Sequence, residues 1–96
     1  MTPNKLKKLR GEFAELRRAP QKALALEKLA KSLGRKKVKR GKEPNWESAR
    51  FPDLPPLSIP HHGGKDLSIG VRNGLLIQLQ DDIDAWENLL EDEVDA

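Results

Sequence analysis

The stretch Arg35-Lys-Lys-Val-Lys-Arg-Gly-Lys-Glu-Pro-Asn-Trp-Glu-Ser-Ala-Arg-Phe51 decides the fold. Its first eight residues carry six bases and one apolar residue, Val38. Such a segment can form only a short, largely exposed strand. Gly41–Lys42–Glu43–Pro44 reads as a turn, because Pro44 restricts Glu43 to extended geometry. Trp46–Phe51 reads as the returning strand, with Trp46, Ser48 and Arg50 on one face and Glu47, Ala49 and Phe51 on the other. The two together make an antiparallel hairpin.

Working outward, Pro52, Pro55, Pro56 and Pro60 bracket Leu57–Ser58–Ile59, whose alternation suits a third strand with one buried face. On the N-terminal side two helices are expected. Leu6, Leu9, Phe13 and Leu16 form one stripe of a helix over about 4–18, with Thr2 or Asn4 as cap and Pro3 in the first turn. Ala23, Leu26, Leu29 or Ala30, and Leu33 form the apolar face of a second helix over about 20–33, which Gly34 ends. Beyond the third strand, Leu76, Leu79, Ile83, Trp86 and Leu90 mark a long helix over about 70–91. Its distal half outreaches so small a domain and needs another element to cover it. The stripe of the first helix is the obvious partner, within the chain or across a dimer. The order α–α–β–β–β–α predicts an α+β layer fold, a three-stranded antiparallel meander with helices on one face.

The 96 residues suit one small domain, and the net charge of +3 conceals a strong polarity. Residues 1–50 hold 16 basic and five acidic residues, a net of +11. Residues 81–96 hold eight acids and no base. With no Cys there is no disulfide framework, thiolate metal site or thiol nucleophile. No apolar run approaches a membrane span. The N-terminus lacks the apolar stretch of a signal peptide. A soluble, cytoplasmic protein is expected.

From Ala25 onward the sequence resembles the HicA family, the messenger-RNA-cleaving toxins of HicA–HicB toxin–antitoxin pairs. The residues that carry the resemblance are Leu57-Ser-Ile-Pro-His-His-Gly-Gly-Lys-Asp-Leu-Ser-Ile-Gly-Val-Arg-Asn-Gly-Leu-Leu76, in particular Pro60, His62, Lys65, Asp66, Leu67, Gly70 and Arg72. The helix with Leu26, Leu29, Ala30 and Leu33 before Gly34 is similar to the family's first helix. The resemblance spans roughly residues 25–80. It implies a double-stranded-RNA-binding-like α–β–β–β–α fold. It also implies an endoribonuclease that inhibits translation as the toxin of a type II system, held in check by a HicB-like antitoxin. The expected organisation is a basic helical extension over 1–19, the HicA-like domain over 20–80 and an acidic helical extension over 81–96. One departure bears on the chemistry: family members carry their catalytic His in a Gly-Ser-His at the second strand, and here the matching stretch is Gly41-Lys42-Glu43.

Each candidate residue has a functional and a structural meaning. Cleavage through a 2′-hydroxyl needs a base, and Glu43 can supply one, or else activity is reduced or lost; a carboxylate of ordinary pKa, about 4.3, is a poorer base near neutrality than an imidazole. His62 matches the family's loop His and can donate a proton or contact phosphate; equally, it and His61 can be solvated loop residues. Two adjacent His do not chelate one ion easily, and no metal or cofactor is implied. Lys37, Lys39, Arg40 and Lys42 are candidate RNA phosphate contacts, against the alternative that Lys guards an edge strand. Lys65 and Arg72 can position phosphate at the start of the last helix, where Asp66 or Ser68 can also cap. Trp46 is expected to pack rather than stack on a base.

The acidic tail has three readings: a solubilising face, a nucleic-acid mimic over the basic surface, or a partner contact. The rival to the nuclease is a non-catalytic RNA-binding or interaction module on the same fold. A DNA-binding regulator is disfavoured, because no helix–turn–helix pair stands out. Heptad-like spacing in both terminal helices allows a homodimer.

Overall fold

A computed structural model of the chain describes residues 1–19, 22–40, 43–60 and 66–95. The element order is α1 (Pro3–Leu16), α2 (Ala23–Ser32), β1 (Arg35–Arg40), β2 (Glu43–Ser48), β3 (Leu57–Ser58) and α3 (Ile69–Asp95). The strands form an antiparallel sheet in the order β1-β2-β3, so the α+β meander expected from the sequence is present. Among the described residues no helix is long and apolar enough to cross a membrane.

Each helix start has a local cause. Thr2, in extended geometry, accepts the Lys5 amide on its Oγ1 at 3.2 Å, and Pro3 occupies the first turn of α1. Ser68 caps α3: its Oγ accepts the Val71 amide at 3.4 Å and its carbonyl accepts the Arg72 amide at 2.9 Å. Lys22 precedes α2 without a side-chain cap and instead forms an isolated antiparallel bridge with Asp66. α2 therefore starts at Ala23, three residues later than Pro20. Gly34 ends it at φ 93°, the left-handed geometry that glycine adopts freely.

The central strand lies nearer the N-terminus than the sequence suggests. Glu43 and Pro44 belong to β2 rather than to a turn, and β2 ends at Ser48, so Ala49–Phe51 are not strand. The sequence places Pro44 in a turn, and a proline in a central strand costs a ladder bond. Among the described residues β3 pairs only with Asn45 and Trp46, so its ladder does not reach Pro44 or call on the missing donor.

The core joins all three layers of sequence. Leu6, Leu9 and Phe13 from α1 meet Leu26, Leu29, Ala30 and Leu33 around α2, Trp46, Leu57 and Ile59 from the sheet side, and Leu75, Leu76, Leu79 and Ile83 from α3. α1 packs on α2 and α3 of its own chain, with Leu16, Trp86 and Leu90 closing the margin. Charge assists this docking. Toward α3, Arg10 pairs with Glu87. Toward α2, Glu12 and Glu15 line a groove with Lys28 and Lys31.

α3 spans 27 residues, about 40 Å at 1.5 Å per residue. It runs unbroken through the boundary expected at 80/81, and Asp82 and Ile83 are each 1 % exposed. Just beyond, the Trp86 indole donates to the Leu33 carbonyl at 2.7 Å, satisfying an acceptor at the end of α2. The same ring meets Phe51 edge-on at 5.0 Å. The proximal part of the acidic segment is thus core material.

Candidate nucleic-acid interface

Strand alternation divides the basic run into two faces. Residues directly opposite in an antiparallel pair share a face. Arg35 lies opposite Ser48 and Lys37 opposite Trp46, and Trp46 packs into the core, so Arg35, Lys37 and Lys39 belong to the helix side. Lys36 and Val38 belong to the outer side, where the register sets Lys36 opposite Glu47 and Val38 opposite Asn45.

Arg35 leaves the candidate surface altogether. It is 2 % exposed. Its Nε and Nη2 donate to the two Asp82 carboxylate oxygens at 2.6 and 2.7 Å, and its Nη1 donates to the carbonyls of Trp46 at 2.8 Å and Pro55 at 3.0 Å. The planar fork joins β1 to α3 and to the loop before β3, a geometry that a lysine would not reproduce.

Lys37 and Lys39 remain exposed, and neither faces an acid across the strand: their register partners are Trp46 and Pro44. From α2, the Lys31 ammonium lies 5.6 Å from the centre of the Trp46 ring. Trp46 is 2 % exposed, so it forms the floor beneath Lys31 and is not a platform for a base. On the outer face Lys36 has an acid, Glu47, opposite it, while the helix-side lysines of β1 have none. Lys31 was not among the candidates read from sequence. The one available signal was its place on the polar face of α2, which does not reveal that the helix end adjoins Trp46.

The remaining candidates distribute as follows. Arg72 is half-buried near the start of α3, with its Nε enclosed and without a hydrogen-bond partner among the described residues. Arg40 closes β1 and Glu43 opens β2, opposite one another, with side chains outside the described set. His61, His62, Lys65 and Lys42 lie outside the described residues. Among the described residues β1 pairs with β2 alone and is an edge of the sheet, so its lysines also stand where edge protection calls for them.

Comparison with known proteins finds no matching family model, no similar curated protein and no similar solved structure.

Proposed function

We propose that the chain is an RNA-binding domain of HicA-like type, with a double-stranded-RNA-binding-like fold, acting as the endoribonuclease toxin of a toxin–antitoxin pair with a HicB-like antitoxin. One observation carries the RNA reading: the exposed Lys37 and Lys39, bordered by Lys31, form a cationic margin with no acid opposite it in the sheet register. Such a margin neutralises backbone phosphate and makes binding salt-dependent. The nuclease reading rests on the resemblance around Leu57–Leu76. In it Glu43 removes the 2′-hydroxyl proton, the alkoxide attacks the adjacent phosphorus, and His62 protonates the departing 5′-oxygen, leaving a cyclic phosphate. Arg40, Lys42, Lys65 and Arg72 then hold the phosphates.

Incubating the purified chain with messenger RNA tests both parts. The expected result is cleavage that His62→Ala abolishes, Glu43→Gln depresses by roughly 100-fold, the low end for an acid–base group, and rising salt weakens. Cleavage unchanged in Glu43→Gln removes Glu43 as the base. Tight, salt-sensitive binding without fragments identifies a non-catalytic RNA-binding module instead. Growth arrest on expression, relieved by a co-expressed partner protein, is the expected cellular signature.

A further inference from the structure

The apolar stripe that suggested pairing of terminal helices is spent inside the monomer. Leu76, Leu79 and Ile83 are buried, and Trp86 and Leu90 pack at the core margin. A different face of α3 is left bare. Ile69 is 69 % exposed and Ile77 is 67 % exposed, and Asn73 stands one turn from each, so the three share a stripe. Ile77 opens onto a groove of about 470 Å³ between α3 and the end of α1, whose lining includes Phe13, Leu76, Arg17 and Asp81.

The charges on this groove select its occupant. Arg17 stands on the α1 wall, its guanidinium 5.8 Å from the Phe13 ring centre. Asp81 stands on the α3 wall, one turn beyond Ile77. Both are exposed, and neither forms a salt bridge among the described residues. A partner of uniform sign would be repelled by one wall. A second copy related by a twofold axis presents the same two walls in reverse, as an isologous contact requires.

We infer that this groove is a self-association surface: a twofold axis near Ile77 buries the two Ile77 side chains against each other and sets each Arg17 opposite the partner copy's Asp81. The contact lies on the helix layer, so it leaves the lysine margin of β1 free and does not depend on the RNA reading.

Sedimentation velocity of the full chain over a concentration series tests it. The expected result is a reversible monomer–dimer equilibrium that Ile77→Asp abolishes, while the circular dichroism spectrum and the thermal midpoint, both taken at a concentration where the parent is monomeric, stay unchanged because Ile77 is exposed. Asp81→Arg and Arg17→Asp each raise the dimer dissociation constant at least tenfold, and the double variant Arg17→Asp/Asp81→Arg restores it to within about threefold of the parent. A parent chain that stays monomeric up to millimolar concentration overturns the inference. So does a dimer indifferent to Ile77→Asp, a charge swap without restoration, or a groove that takes a different protein while the chain remains monomeric.

Discussion

The two ends of β1 use positive charge in opposite ways. At the start, Arg35 is sunk in the core with its donors committed to Asp82, Trp46 and Pro55. Two and four residues on, Lys37 and Lys39 point to the same side of the sheet and stay in water. The alternation is the same; the cover differs. α3 passes over Arg35 and brings Asp82 to meet it, whereas neither Lys37 nor Lys39 meets a described acid there. A run of like charges in sequence is therefore two different objects in space, a structural clamp and a solvated margin.

The sharpest way to break this comparison is to remove the clamp. Asp82→Ala leaves a buried guanidinium without its counter-charge and is expected to cost about 3–5 kcal/mol. That is a large part of the roughly 5–14 kcal/mol available to a chain of this size. Urea denaturation should show the midpoint falling with little change in slope. The double variant Arg35→Met/Asp82→Leu should recover most of the loss, since a well-packed apolar pair can replace a buried ion pair. If Asp82→Ala is near neutral, Arg35 belongs with the lysines and the contrast fails.

A smaller effect tests whether α3 beyond residue 80 is structural. Trp86→Phe keeps a ring beside Phe51 but removes the donor to the Leu33 carbonyl. The expected cost is about 1–3 kcal/mol, the range for an acceptor left without its partner. Gly34 sits against the same ring, its would-be Cβ 3.6 Å from Trp86 Cζ2, so the end of α2 and this part of α3 are one packed unit. A thermal midpoint unmoved by Trp86→Phe would restore the view of 81–96 as an appendage.

How much of this was legible in the sequence depends on range. The Leu6, Leu9, Phe13 stripe, Gly34 as a helix stop and the alternation of Leu57 with Ile59 are local patterns, and each marked its element. The partner of Arg35 lies 47 residues away. Nothing local distinguishes Arg35 from the other bases of its run or Asp82 from the acids around it, so the sequence does not single out either. Pro44 reads as a turn in sequence because its tolerance in β2 depends on the length of β3, a property of another segment. The lysine margin was half legible: Lys37 and Lys39 were chosen for charge alone. What sets them apart from Lys36 is the register, which needs the position of β2, and Lys31 joins them only through Trp46.

The smallest expected effect on stability sharpens the comparison most. Lys37→Gln and Lys39→Gln change exposed side chains that hold no part of the core, so each should shift folding stability by no more than about 0.5 kcal/mol. Their effect belongs to binding. Each lysine that neutralises a phosphate of a single strand contributes about 0.7 to the slope of log affinity against log salt. The double variant should lower that slope by about 1.4 and weaken RNA binding at low salt, with the denaturation midpoint in place. Lys36→Gln, on the outer face opposite Glu47, is the internal control: it removes the same charge from the same strand. If binding followed charge count alone, Lys36→Gln would lower the slope as much as Lys37→Gln does. If the register decides, only the helix-side lysines lower it, and the run that looks uniform in sequence separates by face as well as by depth.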